Sequence, residues 1–152
     1  MAMPVPYILP DEDIPGPAVK SIGVDNITST STYEMELEAF AEAVPMKLDY
    51  IIFDACLMGG VEVAYALKDK CHYVVFSQTE VLADGLCDYK TLTSRLLNKN
   101  IPALVELCED SWEHYSSQQD EVRKSLTISL VDCSRMDALA SACGTMFQKY
   151  RS

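Results

Sequence analysis

Hydrophobic and polar positions change period in a definite order along the chain. From Leu48 to Cys56 (LDYIIFDAC) the centre, Tyr50-Ile51-Ile52-Phe53, is apolar without alternation, the pattern of a strand covered on both faces. From Leu57 to Lys70 the period becomes helical, with Leu57, Val61, Ala64 and Tyr65 at i, i+4, i+7 and i+8. A second buried strand follows at His72–Ser77 (HYVVFS). Strand, helix and strand within about thirty residues predict a βαβ crossover, which makes the pair parallel and puts helices on the sheet faces.

The flanks are less regular. Residues 1–20 hold five prolines, which fix φ and remove backbone donors, so an irregular lead-in is expected. Residues 21–32 (SIGVDNITSTST) are polar and turn-rich. Ser31 or Thr32 can cap a helix over Tyr33–Val44 that ends at Pro45. Downstream, Gln78–Asp88 reads as a loop, and helices are expected at Tyr89–Asn98 and Ile101–Ser117. The second of these carries Ile101, Val105, Cys108, Trp112 and Tyr115 along one face. Leu126–Asp132 alternates like a less thoroughly covered strand. Ser134 then caps a last helix with Leu139, Cys143, Phe147 and Tyr150 turned inward.

Composition narrows the class. At 152 residues the chain is one domain or part of one. Its 12 Lys+Arg against 23 Asp+Glu give a net charge of −11, the wrong sign for a general nucleic-acid binder. No apolar run approaches the ~20 residues of a membrane span, and the opening residues lack the basic start of a signal peptide. The six cysteines contain no C-x-x-C pair and read by default as buried structural thiols, since a core of this size needs no disulfide framework.

In open parallel sheets, functional groups collect beyond the carboxyl ends of the strands. Two segments lie at that edge, Asp54-Ala55-Cys56 and Gln78–Asp88. Cys56 sits where strand gives way to helix, so the positive end of that helix is expected to face its sulfur and stabilise a thiolate. That singles it out as the candidate nucleophile.

Over about forty residues the sequence resembles the nucleophile region of the clostripain family of cysteine peptidases, in the caspase-like clan. The residues that carry the likeness are Asp54-Ala55-Cys56, Leu57-Met58-Gly59, Glu62-Val63-Ala64-Tyr65, Ser77 with Glu80, and Asp84-Gly85. The resemblance implies an α/β fold: a caspase-like αβα sandwich around a mostly parallel central sheet, here without its first strands. It divides the chain into a lead-in, 1–32, and the C-terminal part of a peptidase domain, 33–152. It implies hydrolysis of peptide bonds after Arg or Lys by a Cys–His dyad, with Cys56 as nucleophile and Asp54 beside the specificity pocket. Asp84 is a second carboxylate for that pocket. A buried acid facing a guanidinium fits this role through charge-assisted hydrogen bonds. The bland alternatives are that Asp54 caps the following helix and that Asp84-Gly85 is an ordinary turn.

The histidine of such a dyad is not evident. His72 begins the second strand, roughly 15–20 Å from the active edge, and His114 lies on an acidic helix. In the family the histidine belongs to an earlier His-Gly motif, so the partners implied are an N-terminal His-bearing segment or light chain and a peptide or protein substrate with basic residues. By itself the chain is expected to be inactive. Lys20, in the Pro-rich segment, is a candidate processing site. A departure from the family pattern at Gly85-Leu86-Cys87-Asp88 leaves the pocket wall open and puts Cys87 near Cys56, either for a regulatory disulfide or as an incidental thiol. No cofactor is implied, and calcium is left open. Localisation by resemblance is secreted or at a bacterial cell envelope. The competing readings are a non-catalytic caspase-like binding or scaffolding domain and a flavodoxin-like nucleotide binder. The second wants a better phosphate loop than Leu57-Met58-Gly59-Gly60.

Overall fold

The computed structural model describes residues 21–28, 31–82, 84–97 and 101–151. Lys20 and the rest of 1–20 lie outside the described residues. The first element is a hairpin: β1 (Ser21–Thr28) pairs antiparallel with β2 (Ser31–Glu36), from Ser21 opposite Glu36 to Thr28 opposite Ser31. The expected helix over Tyr33–Val44 therefore loses its first turn to the sheet. Isoleucine, valine, threonine and tyrosine in both arms favour extended backbone, and pairing outweighs the cap available at Ser31 or Thr32. Helix α1 covers only Leu37–Ala43, with Leu37 and Ala41 buried. It stops where expected: Val44 is extended, as a residue before proline must be.

The central sheet has the order β3-β4-β5, made of Leu48–Ile52, Cys71–Phe76 and Ser129–Asp132. As the crossover pattern predicts, β3 and β4 are parallel, with Leu48 opposite Cys71 and Ile52 opposite Val75. The connection differs in one respect. Its helix, α2, is confined to Val61–Ala66, because Cys56–Gly60 forms a turn that runs alongside Ser77–Thr79. Strand β5 returns antiparallel to β4, with Tyr73 opposite Asp132 and Phe76 opposite Ser129.

Alternation along the central strand sorts the core into two layers. Val74 and Phe76 join Leu37, Met58, Val63, Leu67 and Met136 on one face. Val75 faces the other way, with Leu86, Cys87, Leu104 and Leu107. Helices α1, α2 and the start of α5 (Met136–Tyr150) thus cover one side. Helices α3 (Tyr89–Leu96) and α4 (Ile101–Ser116) cover the other, which gives the αβα layering.

Two helices present faces other than those expected. On α4 the buried residues are Ala103, Leu104, Leu107, Ser111 and Tyr115, while Val105 and Trp112 are 41% and 63% exposed. The helix is turned by one residue, about 100°, because Ser111 and Tyr115 donate hydrogen bonds to the carbonyls of Leu86 and Gly85. On α5 only Met136 is buried, and Leu139, Phe147 and Tyr150 are exposed. Nor does Ser134 cap this helix. Asp132 accepts from the Ser134 N–H and hydroxyl at 2.9 and 2.7 Å, which holds its carboxyl below the usual range.

All six cysteines are free thiols. Cys71, Cys87 and Cys133 are buried, and the sulfurs of Cys71 and Cys133 lie 3.8 Å apart. Burial pushes Cys71 and Cys87 from about 9.0 up to about 12. The folded state therefore holds these protons more tightly than the unfolded chain, so their contribution to stability is complete below pH 9 and is lost as pH rises toward 12. Urea midpoints are expected to fall between pH 9 and 10.5, and iodoacetamide at pH 8.5 to spare both thiols until denaturant is added. Rapid native-state alkylation of either would contradict this placement.

Candidate active site

Strand β3 delivers its chemistry just past its carboxyl end. The Phe53 N–H still bonds to the Val75 carbonyl at 2.9 Å. The chain then bends, and Asp54 turns toward the loop that follows β4. Its Oδ1 accepts the Leu86 N–H at 2.7 Å, and its Oδ2 accepts the hydroxyl of Tyr89. The bond to the Asp54 charge, reinforced by burial, pushes the Tyr89 phenol up to about 12. Asp54 is not a helix cap: α2 starts at Val61, and no side chain caps it.

Cys56 reaches the same loop. Its sulfur accepts the Val81 N–H at 3.2 Å, and the thiol donates to the Val81 carbonyl at 3.4 Å. This corrects the expected helix-end environment. The six residues of α2 begin well past the sulfur, and the N–H directed at it comes from a loop distant in sequence. The turn after Cys56 places Leu57 at φ +59°, and the Leu57 and Gly59 N–H groups bond to the carbonyls of Thr79 and Ser77 at 3.0 and 2.7 Å. Only glycine fits at position 59, since a Cβ there would lie 2.6 Å from the Gln78 nitrogen.

The receiving loop is held from three directions. Ser77, fully buried, bonds to Thr79 and to the Thr127 hydroxyl. Thr79 donates its hydroxyl to the Ser125 carbonyl at 3.1 Å. Behind the loop stand the Ser111 and Tyr115 hydroxyls of α4. Tyr115 is held above its usual range by burial first, then by the negative charges of Asp84 and Asp54. Asp88 caps α3 by accepting the Lys90 and Thr91 N–H groups, which sets Tyr89 at the first helical position. Asp84 itself is exposed and forms an ion pair with Arg123.

Cys56, Asp54 and Asp84 are thus gathered around one loop at the carboxyl ends of β3 and β4. The histidines are elsewhere. His72 is exposed at the start of β4, and His114 is exposed with its ring against the edge of Tyr115 at 5.0 Å. Cys87 is buried toward α4, beside Ser111 and Cys108. It lines a cleft of about 470 Å³ with Asp88 and His114 that involves neither Cys56 nor either acid. Among the described residues no cluster of three His, Cys, Asp or Glu can hold a metal, and no helix is long and apolar enough to cross a membrane. Sequence reasoning missed Val81, Tyr89, Ser111 and Arg123, and it placed Tyr115 on the apolar face of its helix, where it is buried, without its bond. These roles come from contacts across 25 or more residues.

The model of the clostripain family matches residues 8–152. The chain belongs to the clostripain family. Solved structures agree with this. A clostripain from Bacteroides thetaiotaomicron in complex with the peptide inhibitor BTN-VLTK-AOMK is 33% identical over 72% of this chain and 48% of that one, with a TM-score of 0.62. A secreted C11 cysteine protease from the same organism, in complex with an irreversible peptide inhibitor, is 30% identical over 83% and 37%, with a TM-score of 0.66. An inactive zymogen C11 protease from Parabacteroides distasonis is 33% identical over 74% and 31%, with a TM-score of 0.65. The chain therefore spans half or less of the length of these relatives. No curated protein matches it.

In this clostripain-family site the glycine at 85 is as constrained as the one at 59. Its φ is +89°, and a Cβ would lie 2.9 Å from the Tyr89 hydroxyl and 3.2 Å from Asp54 Oδ2. Gly85→Ala is expected to cost about 1–2 kcal/mol or more. Gly144→Ala, in the middle of α5 with nothing within 4 Å, is expected to gain about 0.5–1 kcal/mol. Urea unfolding of the two variants checks both signs, and equal effects would refute the loop geometry.

Proposed function

We propose that this chain supplies the nucleophile and the specificity acids of a cysteine endopeptidase that cuts after Arg or Lys. The observation that carries the reading is the meeting of Cys56, Asp54 and Asp84 around one loop in a clostripain-family fold. The Cys56 sulfur attacks the scissile carbonyl carbon and forms an acyl-enzyme. The amine leaves with a proton delivered by an imidazole, and water then releases the acid and restores the thiol. The Val81 N–H and carbonyl hold the sulfur in place at the loop. The imidazole is assigned to a histidine on a segment outside this sequence, since neither His72 nor His114 is near Cys56, and the chain alone is accordingly inactive.

Asp54 and Asp84 receive the substrate's basic side chain through charge-assisted bonds. Support comes from the inhibitor bound to the Bacteroides thetaiotaomicron clostripain, whose peptide VLTK ends in lysine. A secreted relative supports export to the cell exterior, and a zymogen relative supports maturation by cleavage, with Lys20 as the processing site.

The test is affinity labelling of the full-length protein with acyloxymethyl ketone peptides ending in Lys or in Glu. The Lys probe is expected to add to Cys56, as read by peptide mass spectrometry, and to fail with Cys56→Ala. Asp54→Asn is expected to slow labelling by about 10- to 100-fold, the worth of a hydrogen bond to a charged group. Addition at another cysteine, or equal rates with the Glu probe, would overturn the assignment.

A further inference from the structure

One of the two acids assigned to the specificity pocket, Asp84, already holds a cation. Arg123 Nη1 is paired with the Asp84 carboxylate, and it belongs to a short 3-10 turn, Arg123–Ser125. That turn is fixed independently of the pair. The Ser125 N–H bonds to the Val122 carbonyl at 3.2 Å, the Ser125 carbonyl accepts the Thr79 hydroxyl at 3.1 Å, and Val122 N–H bonds to Asp120 at 2.9 Å. The neighbouring Lys124 is turned away to Glu121 at 2.9 Å, so the turn presents one cation to the loop.

Asp54 is filled differently, by two neutral donors, the Leu86 N–H and the Tyr89 hydroxyl. Among the described residues each of its oxygens accepts one donor, and a carboxylate oxygen has a second lone pair for another. The two acids are therefore unequal in the unliganded site. Asp54 is a fixed negative charge ready to accept, whereas the charge of Asp84 is compensated from within. Both members of the Asp84–Arg123 pair are half exposed, at 42% and 44% of the side chain, and ion pairs in such surroundings are weak. The pair is a contact that an incoming guanidinium or ammonium group can replace.

We infer that Arg123 is a specificity-determining residue: it occupies Asp84 in the free protein, and a substrate's basic side chain has to displace it. This rests on the proposed role of Asp54 and Asp84. As an internal competitor, Arg123 lowers the affinity of the site for any single cation. The penalty is common to all basic side chains, so it narrows the discrimination between basic and neutral residues at that position.

The experiment uses p-aminobenzamidine, a fluorescent amidine cation, titrated into the full-length protein so that no catalytic step is needed. Arg123→Gln is expected to tighten binding by about three- to fivefold, the factor an exposed ion pair is worth. Arg123→Lys is expected to restore wild-type affinity, and Arg123→Gln to lose its effect when Asp84 is already Asn. Thermal unfolding of each variant identifies any change that comes from misfolding, and the charge-retaining lysine variant then carries the comparison. If Arg123→Gln binds no more tightly while Asp54→Asn and Asp84→Asn still weaken binding, Arg123 is no competitor and the acids keep their assignment. If neither acid substitution alters binding in any background, the specificity site itself is misassigned.

Discussion

The bond between the Asp54 carboxylate and the loop after β4 is the constraint on which the site depends. One oxygen takes the N–H of Leu86, a residue 1% exposed, and that donor would otherwise be buried without a partner, at a cost of about 1–3 kcal/mol. The other oxygen takes the Tyr89 hydroxyl, which ties the first residue of α3 to the chain just past β3. From the opposite side, Ser111 and Tyr115 hold the carbonyls of Leu86 and Gly85. Three backbone polar groups in two adjacent peptide units are thus satisfied by side chains from two separate segments. The rotation of α4 follows from this: its buried face is set by two hydroxyls that the loop requires.

The parts of the fold legible in the sequence are those decided by local periodicity. Tyr73–Phe76 announces a covered strand because apolar residues fill both faces. Tyr50–Phe53 announces a strand by the same pattern, although Tyr50, Ile51 and Ile52 are only half-buried. The crossover between them follows from chain connectivity. The helix expected from Tyr89 does begin there, and the structure supplies the reason: the short Asp88 side chain accepts the free N–H groups of its first turn. Polar punctuation at Asp84-Gly85 marks a turn because glycine readily takes the positive φ found there.

What stayed hidden depends on partners far along the chain. Residues 21–36 contain β-formers beside a good helix cap, and only the pairing of Ile22 with Met35 and its neighbours decides between the two states. Helix α4 carries overlapping apolar stripes, so hydrophobicity alone does not choose between Trp112 and Ser111. At the candidate site, Asp54 and Cys56 were identifiable by type and position, but the donor to the sulfur was not. Nothing around Val81 in sequence signals that its backbone N–H meets a thiol 25 residues earlier.

The left-handed conformation of Leu57 has a consequence for how the Cys56 sulfur is held. A leucine at φ +59° is less favourable than glycine by about 1–2 kcal/mol, so the turn does not keep its shape by its own preference. It is kept by backbone bonds to Thr79 and Ser77, and those two residues are in turn tied to Thr127 and Ser125. The position of the sulfur is thereby mechanically coupled to a segment some seventy residues away, and loosening that remote segment would let the turn relax and carry the sulfur away from Val81.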